Sequence, residues 1–470
     1  MKNVVAYLLF LILCVIVIVL TLNYGARTFP AGGPVLSPGP TEAGASALRE
    51  NLRSPLVILL VQVVLIVLVA RGLGAVARML GQPGVIGEMI AGVLLGPSCL
   101  GWLSPGVMTS VFPDSSMNTL RIFSQVGVIL FMFLVGTDID LSHFRAKART
   151  AVWVSHASIV LPFLIGTTLS FFIYRSMAPS GVPFTAFALF LGVAMSITAF
   201  PVLARIVEER GLTHSSLGTM SLGCAAVDDV TAWSILAIVL AIVKADGWGS
   251  ALPTLLWVVV FAVVMIFLMK PLLQKLISAR ESKILKMKYE VEYNSWAAVI
   301  LAFAFLCGLT TEIIGVHALF GAFLAGIIIP AGRLRNFCKA RFETVASGLL
   351  LPLFFAFTGL RTRVDLLNDW FSWAICLVVI ACAVVGKMGG SMLAARWSGM
   401  NWRDAFSLGA LMNTRGLMEL IVLNIGYDLG ILSSRVFAIL VLMALTTTFM
   451  TAPLLSLAQG KSAKNAFAAS

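Results

Sequence analysis

Charge is the scarcest property of this chain. Asp, Glu, Lys and Arg make up 11% of its 470 residues, less than half of the roughly 25% carried by a soluble domain. That composition excludes an ordinary water-soluble globular protein. Histidine is limited to four residues with no HExxH pair, which speaks against a catalytic metal. The seven cysteines (Cys14, Cys99, Cys224, Cys307, Cys338, Cys376 and Cys382) fall mostly inside apolar runs and lack metal-ligand spacing. They read as small apolar residues, not as a disulfide framework. No GxGxxG context, nucleotide loop or nucleophile with a base is evident, so an enzyme reading has little support.

Apolar length is abundant. The chain is 59% hydrophobic with a mean hydropathy of +0.99, the signature of an all-α polytopic membrane protein. Roughly fourteen runs reach the ~20 residues a spanning helix needs. They lie near 4–23, 54–79, 84–103, 119–137, 151–174, 183–208, 215–243, 251–277, 295–310, 312–331, 343–360, 370–396, 404–427 and 433–458. The net charge of +12 would suggest nucleic acid in a soluble protein. Here the basic residues sit in short connections between apolar runs, and alternate connections hold roughly 22 of them against roughly 9. The positive-inside rule accounts for that bias, so no nucleic-acid partner is expected and the termini are placed in the cytoplasm.

Four segments follow. Residues 1–23 form a membrane anchor or signal-like helix, and 24–53, rich in Pro, Gly, Ser and Ala, an external flexible linker. Residues 54–458 form the transmembrane domain, and 459–470 a short cytoplasmic tail. No soluble nucleotide-binding domain is expected in this chain.

Against this apolar background two adjacent carboxylates stand out. Asp228 and Asp229 fall inside the run 215–243, where each ionised group costs about 2.5–3.5 kcal/mol on insertion scales. Binding a small cation or protons on a path through the membrane is the economical use for such a pair. Two other runs are interrupted by polar residues. SITAFPVLAR (196–205) offers the hydroxyls of Ser196 and Thr198, and its Pro201 disfavours helix at Phe200. MNTRGLMELIVLNIG (412–426) carries Asn413, Thr414, Arg415 and Gly416 at membrane depth. The two breaks occupy corresponding places in two six-helix halves joined by the run 251–277, so the halves would be inverted repeats with crossed broken helices.

Six motifs in order carry a family resemblance: GQPGVIGEMIAGVLLGPS (81–98), ILFMFLVGTDID (129–140), SITAFPVLAR (196–205), AAVDDVTAW (225–233), LPLFFAFTGLRTRVDL (351–366) and MNTRGLMELIVLNIG (412–426). The chain resembles the monovalent cation:proton antiporter-2 family, which includes bacterial sodium/proton and potassium/proton antiporters and the plant cation/proton exchangers. The resemblance implies the inverted-repeat sodium/proton antiporter fold with about thirteen core helices, to which the first helix is an addition. It also implies a homodimer in membrane lipid, expected in a bacterial inner membrane, with a scaffold and an ion-transporting core that move relative to each other. No cofactor is implied; the transported species would be H+ and K+ or Na+.

Residue by residue, Asp228 and Asp229 match the family's paired-aspartate position. Thr198 and Ser196 match the crossing broken helix as secondary ligands. Lys387, inside VVGKMGGSM (384–392), matches the lysine that pairs with the first aspartate; snorkelling to the cytoplasmic end is its plainer reading. Arg415 and Glu419, spaced i,i+4, read as a structural ion pair with Asn413 as a polar neighbour. Glu88 is intramembrane, with packing, dimer stabilisation or transport all open. Asp138 and Asp140 read as solvated entrance charges, and His317 as a packed residue. A sodium-coupled solute symporter on the same frame, or a transport-inactive sensor or scaffold, are the alternative functions.

Overall fold

In the computed structural model, residues 54–138, 148–213, 215–244, 248–284 and 290–459 are described, with positions 16, 17, 19–21, 24 and 51 before them. The anchor 1–23 and linker 24–53 therefore lie almost wholly outside the described residues, as do Asp140 and the tail beyond Gln459.

The helices follow the apolar runs. In chain order they are α1 (Pro55–Met79), α2 (Gly84–Leu95), α3 (Asp114–Asp138), α4 (Ala148–Met177), α5 (Phe184–Ser196), α6 (Phe200–Glu209), α7 (Ser216–Lys244) and α8 (Trp248–Val263). A π-helical turn (Val264–Met269) carries α8 on into Lys270–Ile284. Then come α9 (Glu290–Ile314), α10 (Ala318–Ile328), α11 (Arg333–Val345), α12 (Leu351–Leu360) and α13 (Trp370–Val384). The last are α14 (Gly390–Trp397), α15 (Trp402–Met412), α16 (Leu417–Asp428) and α17 (Ser434–Gln459).

Among the described residues 11 helices are long and apolar enough to cross a bilayer, and the bent pair α15–α16 makes 12. The expected span 312–331 departs from this set. Gly315 turns the chain at φ 100°, and α10 keeps only 11 residues. At 1.5 Å per residue that is about 16 Å, roughly half of a ~30 Å hydrocarbon layer. His317 caps this short helix, its Nδ1 accepting from the Leu319 amide at 3.5 Å.

The chain divides into two compact units, residues 1–126 with 349–365, and residues 127–348 with 366–470. In the first, α1 starts at Ser54, whose hydroxyl accepts from the Val57 amide, with Pro55 as the first helical residue. All ten residues of α12 are buried. This helix meets α2 backbone to backbone, since a Cβ on Gly92 would lie 2.5 Å from the Ala356 carbonyl oxygen. Glu88 is 5% exposed and faces α1, its Cγ 3.7 Å from where a Cβ on Gly74 would be. It belongs to this unit, whereas the other sequence-selected site residues belong to the second.

In the second unit both anticipated breaks are present. Between α5 and α6, Ile197 and Ala199 are extended and Pro201 opens the second half. Between α15 and α16 the axis bends by 41°. The span containing α5 and α6 is 83% buried, the highest share among the spans. Unwound backbone at membrane depth is tolerated only inside such a protein-lined interior. Gly416 makes the second break possible: its φ is 153°, and a Cβ there would meet Val202 Cγ2 at 2.9 Å. Gly416→Ala should therefore destabilise the protein by about 1–3 kcal/mol through backbone strain and that clash. Thermal unfolding in detergent checks this, and an unshifted curve would mean the turn holds no such strain.

Candidate functional site

The two breaks touch. The Ala199 amide donates to the Thr414 carbonyl at 3.1 Å, and the Thr198 hydroxyl reaches the Met412 carbonyl at 3.3 Å. Unwinding frees backbone groups that need partners, and side chains on other helices supply them. Thr448 on α17 serves Arg415 twice, accepting from its amide at 3.0 Å and donating to its carbonyl at 2.8 Å. Thr414 and Thr451 hydroxyls lie 3.2 Å apart.

Two buried cations cap the C-terminal end of α5. The Arg415 guanidinium donates to the Ala194 carbonyl at 2.8 Å and the Met195 carbonyl at 2.6 Å. Lys387 Nζ donates to the next carbonyl, that of Ser196. Helix C-termini carry unpaired carbonyls and the negative end of the dipole, so cations belong there. The expected Arg415–Glu419 pair is present at 3.4 Å, with both side chains fully buried. The arginine thus links α16 to the broken helix as well as to its own turn. Asn413, also fully buried, has no hydrogen-bond partner for its side-chain amide among the described residues.

Lys387 reaches the site from a π-helical turn, Val385–Gly389, between α13 and α14. Such single turns recur at functional sites because they shift side chains out of the regular helical rows. Its Nζ is 3.0 Å from Asp228 Oδ2 and 3.1 Å from the Ser158 hydroxyl. The fully buried position excludes snorkelling.

Asp228 is saturated with donors. Its Oδ1 accepts from Ser155 at 2.5 Å. Its Oδ2 accepts from Ser158 at 2.8 Å, Thr198 at 2.5 Å and Lys387 at 3.0 Å. Asp229, the next residue on α7, differs sharply. It too is fully buried, yet neither carboxylate oxygen has a hydrogen-bond partner among the described residues. The Phe200 backbone at the N-terminus of α6 lies near it without meeting hydrogen-bond geometry. One broken helix therefore presents its negative end to cations and its positive end to a carboxylate.

Sequence-based selection and geometry differ at several residues. Ser196 was expected to offer its hydroxyl, but that group bonds back to the Gly192 carbonyl at 2.6 Å, as serine in a helix often does. Its carbonyl is the group facing the site. Ser155 and Ser158 were not anticipated, although their i,i+3 spacing puts them on one face of α4. Two hydroxyls sharing a face inside an apolar run were the available signal. Asp138 is about one-third exposed and pairs with Lys339 at 2.7 Å.

Comparison with known proteins adds to this geometry. A family model described as "Sodium/hydrogen exchanger, transmembrane" matches residues 63–457. The chain is 41% identical over 405 residues to the Na+/H+ antiporter NhaS4 of Synechocystis, covering 85% of this chain and 96% of that protein. It is 40% identical to cation/H+ antiporter 17 of Arabidopsis thaliana, covering 89% of this chain and 50% of the relative. With K+/H+ antiporter 1 of Saccharomyces cerevisiae it shares 32% identity, covering 88% and 46%. The chain thus spans about half the length of these plant and yeast relatives. Among solved structures, the sodium proton antiporter MjNhaP1 from Methanocaldococcus jannaschii aligns with a TM-score of 0.61 at 15% identity, covering 86% of this chain and 97% of that one. At that identity the likeness speaks for the fold.

Proposed function

The chain belongs to the sodium/hydrogen exchanger family, whose members named above are antiporters and not enzymes, and on that premise we propose that it exchanges K+ or Na+ for protons at the Asp228–Asp229 pair. The observation that carries this reading is the contrast between the two carboxylates. Asp228 has a lysine and three hydroxyls; Asp229 is buried with nothing assigned to it. An isolated ionised carboxylate in a dry interior is too costly to persist, so it takes up a proton or a cation. Exchange follows from that alternative. Asp229 releases its proton and accepts the metal ion, with Asp228 and Thr198 as further oxygen ligands as Lys387 is displaced. The core then turns to the other side, the ion leaves, and protonation resets the site. A vacant charged pocket does not cross, which couples the two fluxes.

In this mechanism Ser155 and Ser158 are positioning residues that keep Asp228 aimed at Lys387. Arg415, Glu419 and Asn413 shape the crossing, and Glu88 acts in packing of its own unit. A homodimer in a bacterial inner membrane completes the proposal. Na+ and K+ accept the same oxygen ligands, and the named relatives include both Na+/H+ and K+/H+ antiporters.

Inside-out vesicles test the proposal directly. Addition of Na+, K+ or Li+ to acid-loaded vesicles should release protons, read by a pH-sensitive dye. The half-saturating cation concentration should rise as pH falls, because protons compete for the same oxygens. Thr198→Ala should raise that concentration about tenfold, the equivalent of about 1.4 kcal/mol. Silence with every cation would overturn the antiport reading; an unchanged concentration dependence would remove Thr198 from the site.

A further inference from the structure

Buried side-chain atoms that lack a hydrogen-bond partner fall on two stretches of the second unit. Among its described residues they are the Asp229 carboxylate and the Trp233 indole N–H on α7, and the Asn413 amide, Arg415 Nε and Glu419 carboxylate at the second break. Arg415 and Glu419 face each other at 3.4 Å, which leaves Asp229, Trp233 and Asn413. Each unmet polar group in a packed interior costs stability, so its retention points to a use.

The two stretches meet. Helix α7 packs against α15, and the chain on either side of Asn413 is fastened to the first break. The Met412 carbonyl, just before it, accepts from the same Thr198 hydroxyl that donates to Asp228. The Thr414 carbonyl, just after it, accepts from the Ala199 amide, and the next residue, Phe200, is the one whose backbone lies near Asp229. Asn413 is thus separated from Asp228 by two hydrogen bonds and one peptide link. Trp233 bounds another side. It stands at i+4 from Asp229 on one face of α7, and helical side chains lean toward the N-terminus, so the indole covers the Asp229 turn. Its ring packs on Phe323 of α10, the centroids 6.3 Å apart. An indole offers only a donor and cannot ligate a cation, whereas an asparagine amide also carries an acceptor oxygen. Neither polar atom of Asn413 is partnered, so that oxygen lacks a donor whichever way the amide is turned.

We propose that the Asn413 side-chain oxygen is a ligand of the transported cation, completing with Asp229, Asp228 and Thr198 the oxygen shell a metal ion needs once it leaves water. This assignment rests on the antiport reading above and adds to it the residue that supplies a neutral ligand from the second break. A neutral oxygen adds coordination without adding charge. Protonation of the aspartates therefore still resets the site, which a third carboxylate at position 413 would oppose.

The test uses the full chain purified in detergent, its melting temperature followed as Na+, K+ or Li+ is added at alkaline pH, with exchange in vesicles measured alongside. A cation that the wild type transports should raise its melting temperature, because a ligand of the folded state stabilises it. Asn413→Leu keeps the branched shape of the side chain and offers no oxygen. Without cation it should melt no lower than the wild type, since two unmet polar atoms are removed. Its half-saturating cation concentration should rise about tenfold in both assays, the equivalent of about 1.4 kcal/mol. Asn413→Asp keeps an oxygen and should saturate at or below the wild-type concentration. A lower melting temperature of the cation-free Leu variant, an unchanged cation dependence in it, or an Asp variant as weak as the Leu variant would each overturn the proposal. Any of these, set against a wild type that responds to cation, removes Asn413 alone and leaves the antiport reading standing. A wild type that ignores every cation would overturn both.

Discussion

Asp229→Asn should abolish cation-driven proton movement in vesicles while the protein stays folded. The substitution is close to isosteric and breaks no hydrogen bond, because neither oxygen of Asp229 has a partner among the described residues. It also removes a buried ionisable group whose charged form costs about 2.5–3.5 kcal/mol at membrane depth. Folding is therefore expected to be unharmed or slightly improved, as judged by the melting temperature in detergent. Transport loses the one charge free to neutralise a metal ion, and a loss of about 3 kcal/mol corresponds to at least roughly a 100-fold fall in rate at limiting cation. Asp229→Glu, with the charge kept on a longer arm, should recover part of the activity. Full exchange by the Asn variant would remove Asp229 from the transport path and with it the proposed mechanism.

The second large effect concerns the neighbouring pair. Lys387→Met should cost about 3–5 kcal/mol of stability, the usual consequence of leaving one member of a buried ion pair uncompensated. Asp228→Asn should cost a similar amount, since Lys387 would lose the carboxylate charge beside it and be left with neutral acceptors, among them the Ser158 hydroxyl and the Ser196 carbonyl. Combining the two substitutions removes both charges and should restore most of the loss. The coupling energy in that cycle would then be several kcal/mol, well beyond the ~0.3–0.5 kcal/mol seen between independent sites. Additive destabilisation would mean that the 3.0 Å contact between them contributes nothing. Transport separates structure from mechanism: the double variant should stay impaired or change its pH dependence despite restored stability. Wild-type exchange by it would confine the pair to a structural role.

Much of the candidate site was legible because lipid penalises polarity before any tertiary contact is considered. Asp228, Asp229, Lys387 and the breaks at Thr198 and Arg415 stand out in apolar runs for that reason alone. Hydroxyls are less conspicuous, since Ser and Thr in a membrane helix can satisfy their own backbone. Ser196 does so, whereas Ser155, Ser158 and Thr448 reach across to other helices. Nothing in their one-letter neighbourhood separates the two behaviours. The shortness of α10 was hidden in the same way, because the residues around Gly315 are apolar enough to pass for continuous helix.

Composition and order thus determined that the chain lies in the membrane, where its long helices run, which two helices break and which charges are enclosed. The energetic penalty of charge in hydrocarbon depends on residue type, so it can be read directly. Only the packed structure decided that Asp228 takes every donor and Asp229 none. Adjacent residues on a helix point ~100° apart, and α4, the break after α5 and the π-helical turn before α14 converge on just one of those two directions.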